Sequence, residues 1–332
     1  MTTEARSDDQ LAERFTAELL SAIEHERRLV ETEGQGLVDE LSDLVAAGGK
    51  RLRPQFCYWG HRAAGGSDTD AIVRTGASLE LLHTMAMIQD DVMDGSAKRR
   101  NLPTTAATFG AAGAILVGLM GFSLADRLFR RAGHDDAAMQ RALDRYDVLR
   151  FRAIAGQYLD ILAAKRGDAD ESEARRIASL KSGSYSVADP LAIGALLATD
   201  DARYVIALER FGRPLGEAFQ LRDDVISTFG DPNITGKDRD GDIREGKQSV
   251  LIAKTRALAT PEQRQVLDRH LGSRDLSPAD ADRVREVMTA SGAFDATNAL
   301  IGELTTSALD ALSSELLDPE AVTALRSLAD VA

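Results

Sequence analysis

Apolar side chains that return every fourth residue, in stretches bounded by glycine and proline, are the constraint that most limits what this chain can fold into. Leu11, Phe15, Leu19 and Ile23 keep that spacing, as do Leu37, Leu41 and Val45, which puts each set on one stripe of an α-helix. Period-two alternation of β-branched residues is scarce, and no Asn-Gly turn joins two alternating runs. Breakers fall at Gly48-Gly49, Gly65-Gly66-Ser67, Gly133, Gly167, Asp189-Pro190, Gly230-Asp231-Pro232, Gly272 and Ser277-Pro278. The segments between them are long enough for helices. A length of 332 residues allows two domains, yet no Gly/Ser linker, low-complexity tract or fixed-period repeat divides the chain. The pattern predicts an all-α fold, a single domain over 1–332 with about ten or more helices around a central cavity.

Composition narrows the function. Acids outnumber bases 53 to 40, for a formal charge of −13, which argues against nucleic acid as a partner. An anionic ligand would therefore need bases placed locally, or a bridging metal. The lone Cys57 excludes a disulfide framework and a cysteine-rich zinc module, and it fits a reducing compartment. The N-terminal run MTTEARSDDQLAERF has no apolar core of a signal peptide, so a cytoplasmic protein is expected. From Asn101 to Ala125 no residue is charged, a length that can span a bilayer. Pro103, four hydroxyl residues (Thr104, Thr105, Thr108, Ser123) and glycines 110, 113, 118 and 121 interrupt it. A buried helix packed through small residues is the better reading, with no transmembrane segment.

Two acidic motifs stand out. In Met85-Ala86-Met87-Ile88-Gln89-Asp90-Asp91-Val92-Met93-Asp94, aspartates follow an apolar helical run, although aspartate is a poor residue for a helix interior. Asp90 and Asp94 fall on one face, with Asp91 beside them. Two such charges at about 4 Å repel by about 4 kcal/mol at an effective dielectric near 20, unless a cation joins them. Hard oxygen ligands with open positions suit Mg²⁺, which keeps waters and shares phosphate oxygens. The competing reading is a solvated acidic turn with Asp94 paired to Lys98. The second motif, Phe219-Gln220-Leu221-Arg222-Asp223-Asp224-Val225, repeats the arrangement, and a segment of mixed charge from Thr235 to Lys247 follows it. Acidic patches on two helices are expected to face each other across the cavity and to hold several Mg²⁺ around one diphosphate.

Bases complete the pattern. Gly48-Gly49-Lys50-Arg51-Leu52-Arg53-Pro54 sets three bases in a glycine-led turn, and Lys98-Arg99-Arg100 follows the first acidic motif. Arginine offers phosphate a planar donor fork and lysine a mobile point charge. The spacing is not that of a P-loop, and either cluster alone reads equally as a solvated surface patch.

The ordered set of motifs resembles the trans-type isoprenyl diphosphate synthases (polyprenyl synthetases), and most of all their geranylgeranyl members. Between about residues 45 and 255 it comprises 48–54, the run Glu80 to Asp94, Arg99 to Thr104, Gly156-Gln157-Tyr158-Leu159-Asp160, Lys181 to Ser186, 219–225, and the Gly-Lys and Glu-Gly-Lys pieces ending at Lys247. The resemblance implies condensation of isopentenyl diphosphate with an allylic diphosphate, about three Mg²⁺ per active site and a homodimer. Carried over residue by residue, it makes Asp90, Asp94 and Asp223 the metal ligands, with Asp91 and Asp224 supporting. Arg99, Lys181, Lys237 and Lys247 fall to the allylic diphosphate. Lys50, Arg53, His83 and Arg100 fall to isopentenyl diphosphate. Gln157, Asp160, Ser182, Phe219 and Gln220 line the reacting carbons. Alone, His83 reads as an ordinary helix histidine, and Gln157 with Asp160 as a helix-surface pair.

Product length is steric on this reading. Met85 and Ala86 stand five and four residues before Asp90, where short-product relatives often carry aromatics, and Leu82 lies a turn deeper; this favours a C20 product, geranylgeranyl diphosphate. Four departures accompany the resemblance: Ser227 replaces a third aspartate, Asn101 a glycine, Leu119 an aspartate and Gln89 a histidine. Two rivals remain at this point. A class I terpene cyclase would need no second diphosphate site, and a non-catalytic partner subunit would account for Ser227 and Leu119.

Overall fold

The computed structural model describes residues 3–99, 102–235 and 238–331, and the all-α expectation holds. In order come α1 (Thr3–Arg27), α2 (Gln35–Ala46), α3 (Leu52–Ala63), α4 (Asp70–Asp94), β1 (Lys98–Arg99), β2 (Leu102–Pro103), α5 (Thr105–Arg130), α6 (Asp136–Arg166) and α7 (Glu171–Ala178). A π-helical stretch (Ser179–Ala188) follows, then α8 (Asp189–Ala198), α9 (Ala202–Phe229), α10 (Pro232–Thr235), α11 (Gly241–Glu245), α12 (Val250–Leu258), α13 (Pro261–His270), α14 (Pro278–Ala290), α15 (Ala293–Ala311) and α16 (Pro319–Val331). Among the described residues the only strands form the antiparallel pair β1–β2, in which Lys98 opposes Pro103 and Arg99 opposes Leu102. It is too short to leave an alternation signal in the sequence.

The chain forms two compact units. The first comprises residues 1–146, 190–208 and 314–330; the second comprises 147–189, 209–313 and 331–332. In the first unit the stripes with four-residue spacing largely do what that spacing demands: Phe15, Leu19, Leu41 and Val45 are fully buried and Leu11 and Ile23 nearly so, whereas Leu37 at the start of α2 is half-buried and Val38 is buried in its stead. Helix α3 is buried on almost every side, because α8 crosses it with no side chain between. A Cβ at Gly194 would sit 2.0 Å from the Cys57 carbonyl oxygen, and one at Gly60 2.4 Å from that of Leu191, so only glycine admits this approach. Phe129 stacks on Tyr146 with ring centroids 4.1 Å apart.

Helix α5 corrects an expectation. It was expected to be buried, yet only one side packs, through Ala114, Val117, Gly118, Gly121, Leu124 and Ala125. Phe109, Ile115, Leu116 and Leu119 are exposed. The small residues do serve close packing: Gly121 lies beside Leu41 and Met85, and Gly118 beside Gln89 and Met85. Absence of charge marked the whole helix as apolar without telling which face is covered. By length and composition α5 is apolar enough to cross a membrane.

The second unit is built on α12, with Leu251 and Ile252 packed among Ile243, Leu267, Val284 and Met288, and Val250 and Ala253 among Ala218, Leu221 and Ile301.

One buried group of the first unit titrates in an accessible range. The His61 ring bonds through Nδ1 to the Gly194 carbonyl at 3.2 Å and lies 6.1 Å from the His134 ring. Burial, and then His134, push its pKa down to about 4. The unfolded chain takes up a proton near the ordinary value of about 6.5, so this contribution to stability is complete above that pH. It is lost as pH falls toward about 4, and amounts to about 3 kcal/mol. Urea unfolding at pH 7.5 and 5.0 should show a smaller difference for His61→Gln than for the unmodified chain.

Candidate functional site

The first unit carries a turn of bases and an acidic helix end. Arg51 has φ of +50°, a left-handed conformation that disfavours any side chain but is tolerated where surrounding contacts impose it. It turns the guanidinium inward, where Nη1 bonds Glu80 of α4 at 2.9 Å, Nη2 the Val45 carbonyl and Nε the Thr16 hydroxyl at 3.3 Å. Both members of the Arg51–Glu80 pair are buried. This buried pair pins the glycine-led turn, with Lys50 and Arg53, to α4 one turn before His83. Sequence reasoning read the three bases of the turn as one anion-binding cluster; the structure commits Arg51 to the core and Lys50 and Arg53 to its flanks. Arg53 is buried and His83 half-buried.

Helix α4 ends at Asp94, where Gly95 adopts φ of +68° and donates to the Asp91 carbonyl. Asp90, Asp91 and Asp94 therefore occupy the last turn, at the negative pole of the helix dipole, where acids are unfavourable and a cation is favoured. Lys98 lies beyond the helix, in β1, so the i,i+4 helical pairing with Asp94 is not available. The buried Asp91 carboxylate is gripped by Arg99, whose Nε lies 3.0 Å from both oxygens and whose Nη2 lies 2.9 Å from Oδ1. This fork ties the β1–β2 hairpin to α4. Leu82 and Met85 are buried and Ala86 half-buried on the same helix. Gly113 of α5 meets only its own Phe109, whereas Gly118 and Gly121 border Met85. Arg100 and Asn101 lie outside the described residues.

The second unit carries a further set of the residues singled out in the sequence. Gly156 of α6 lets the backbone of Leu180 and Lys181 approach to 2.4 Å of its Cβ position, and Gly183 and Gly216 meet backbone to backbone at 2.1 Å on the same measure. The π-helix, a form frequent at functional sites, therefore packs tightly between α6 and α9. It presents Lys181, whose Nζ bonds Asp160 Oδ2 at 2.7 Å, while Ser182 faces the Ser186 hydroxyl at 3.4 Å. Gln157 and Phe219 are half-buried on α6 and α9. Gln220 donates to Asp224 at 2.8 Å.

The Asp224 carboxyl is set back among protein atoms although part of the residue's surface is open. Desolvation, then the charges of Asp242 and Asp223, push its pKa up to about 8, against the pull of Gln220 and Lys247. Lys247 in turn bridges Asp242 at 2.9 Å and Glu245 at 3.2 Å. Asp242, whose charge acts on Asp224, was not singled out in the sequence, where it stood only as one more charge in a mixed run. Lys237 lies outside the described residues, and Ser227 is buried.

The residues fit magnesium by donor chemistry: each half concentrates hard oxygen ligands against an electrostatic gradient that a cation relieves. Among the described residues no three acidic, histidine or cysteine side chains are gathered into one metal-binding group. Each unit by itself sets cationic side chains beside carboxylates, a pattern that can bind and polarise an oxyanion.

Known proteins give the same answer. The polyprenyl synthetase family profile matches residues 35–289. Geranylgeranyl diphosphate synthase of Sulfolobus acidocaldarius is 34% identical over 241 residues, 70% of this chain and 71% of that protein. Geranylfarnesyl diphosphate synthase of Aeropyrum pernix is 32% identical over 256 residues, 76% of this chain and 79% of that one. The crystal structure of Corynebacterium glutamicum geranylgeranyl pyrophosphate synthase, complexed with isoprenyl diphosphate and magnesium, superposes with a TM-score of 0.92 at 31% identity, over 97% of this chain and 98% of that one. The all-α architecture is that of the isoprenoid synthases. The chain belongs to the polyprenyl synthetase family and is an isoprenyl diphosphate synthase, a transferase of prenyl groups.

Proposed function

We propose that the protein is a magnesium-dependent geranylgeranyl diphosphate synthase, adding isopentenyl diphosphate head-to-tail to an allylic diphosphate until a C20 chain is reached. The acidic end of α4 is the observation that carries the reading: three aspartates share the last turn of one helix, at its negative pole, with Arg99 already bound to Asp91. Asp90, Asp94 and Asp223 are the proposed metal ligands, with Asp91 and Asp224 beside them. Magnesium supplies Lewis-acid stabilisation of the departing pyrophosphate.

The chain's own residues do the rest. Lys181, Lys247 and Arg99, with Lys237, neutralise charge as it develops on the leaving oxygen, fixed in place before the reaction. Lys50, Arg53, His83 and Arg100 hold the second diphosphate, so that its double bond meets the allylic carbon. Gln157, Asp160, Ser182, Phe219 and Gln220 line the cation's surroundings, and Asp160 holds Lys181 in its working position. No histidine–carboxylate dyad stands out in the sequence, which leaves the departing pyrophosphate as the acceptor of the proton lost after coupling. The family match runs through both compact units, which supports one catalytic domain.

The product tail runs along α4 from Asp90 toward Met85, Ala86 and Leu82. The glycines at 118 and 121, which border Met85, keep that wall thin, and this supports C20 over a shorter product. The open apolar face of α5 supports a homodimer: Phe109, Ile115, Leu116 and Leu119 form a surface that water disfavours and a second copy would cover. Leu119 belongs to that face, so its replacement of an acid serves association. The single cysteine, Cys57, is buried, in keeping with a cytoplasmic location.

Radiolabelled isopentenyl diphosphate, supplied with dimethylallyl, geranyl or farnesyl diphosphate and Mg²⁺, should yield C20 product; a hydrocarbon or alcohol formed from farnesyl diphosphate alone would instead support the cyclase. Replacing Asp90 and Asp223 together by alanine should lower turnover by at least about a hundredfold; full-rate coupling in that variant overturns the mechanism. Met85→Phe should shorten the product by one or more C5 units, read by chromatography of the dephosphorylated alcohols. Light scattering should give a dimer for the unmodified chain and a monomer for the double variant Leu116→Glu, Leu119→Glu.

A further inference from the structure

Beyond residue 255 the sequence offers no motif, yet one buried arginine there reaches directly to the diphosphate half of the second unit. Arg285 of α14 is 7% exposed. Its Nε donates to the Thr228 carbonyl at 2.7 Å, Nη1 to Asp282 at 2.8 Å, and Nη2 both to the Arg239 carbonyl at 2.8 Å and to the Asp240 carboxylate. The partners outside α14 come from two segments with a common destination. Thr228 lies in the turn of α9 that begins at Asp224, and its hydroxyl bonds the Asp224 carbonyl at 3.0 Å. Arg239 and Asp240 open the turn that leads into α11.

That turn is rigid downstream of the arginine. The Asp240 and Gly241 amides bond Asp238 at 3.0 and 3.1 Å, the Arg244 guanidinium bonds the Asp238 carboxylate at 2.7 Å, and the Lys247 amide bonds the Asp242 carbonyl at 3.1 Å. One guanidinium therefore fixes the spacing between the acid-bearing turn of α9 and the segment carrying Asp242 and Lys247. Only a planar, multi-donor group can bond two backbone carbonyls and two carboxylates of different segments at once.

We propose that Arg285 is a positioning residue for the allylic diphosphate and its metal, setting Asp242 and Lys247 against Asp223 and Asp224 without touching substrate. The inference rests on the synthase reading and extends it to a part of the chain that carries no family motif. A role confined to stability would lower the melting temperature and leave substrate discrimination alone. A positioning role raises KM for the allylic substrate and the magnesium concentration for half-maximal rate. KM for isopentenyl diphosphate stays unchanged, because Lys50, Arg53 and His83 belong to the other unit.

The test compares Arg285→Met, Arg285→Lys and Asp240→Asn with Val287→Ala, a buried residue of the same helix that is not part of the core holding Ile243 and Val225. Each full-length protein is assayed with farnesyl diphosphate, isopentenyl diphosphate and Mg²⁺, and its melting temperature is measured. Arg285→Met should raise the allylic KM and the magnesium requirement about tenfold. Arg285→Lys and Asp240→Asn should give smaller shifts in the same direction, and they decide the matter if the methionine variant does not fold. Val287→Ala should melt earlier with both KM values unchanged. An active wild type whose Arg285 and Asp240 variants melt earlier but keep the ratio of the two KM values overturns the inference alone. A wild type that joins no isopentenyl diphosphate to any primer overturns the synthase reading, and this inference with it.

Discussion

Like charges packed where a helix already presents its negative pole define this molecule. Asp90, Asp91 and Asp94 end α4, and nothing in helix energetics favours them there. What makes the arrangement tolerable is counter-charge from the hairpin, with Arg99 on Asp91; in the second unit, separately, Lys181 pairs with Asp160 and Lys247 with Asp242. Each cation is bound to a carboxylate in the resting protein. On the proposed synthase reading, a diphosphate would meet charges that are already held in place, which would keep reorganisation small as the leaving group departs.

Rigid backbone contacts fix where those charges stand. Glycines at 60 and 194 allow α8 to cross α3 at contact distance, and glycines at 156, 183 and 216 do the same for α6, the π-helix and α9. The acidic and basic side chains are thus carried on parts of the fold with almost no freedom to slide. The strained Arg51 works in the same sense, trading an unfavourable backbone angle for a buried pair with Glu80.

Much of this was legible in the sequence, for identifiable reasons. Four-residue apolar spacing gave the helices because periodicity reports burial directly, and Phe15, Leu19, Leu41 and Val45 bear that out. The acidic runs were visible because aspartate is costly inside a helix. What stayed hidden depends on direction or on distant partners. Arg51 and Lys50 are adjacent bases, and only the left-handed turn separates their roles. Up to Ala125 the exposed side of α5 is as free of charge as its packed side, so charge alone does not separate them. Arg285 lies amid ordinary helical residues, and its four partners are spread over more than fifty positions of chain.

The π-helical stretch has a consequence for how this chain tolerates change in length. A π-turn holds more residues than an α-turn, so the backbone around Ser179–Ala188 stores surplus chain inside a continuous helix. Loss of a single residue there would let the stretch rewind as ordinary α-helix. Lys181 would then swing around the axis and away from Asp160 although no side chain had been altered. Register, not identity, is what this segment has to preserve.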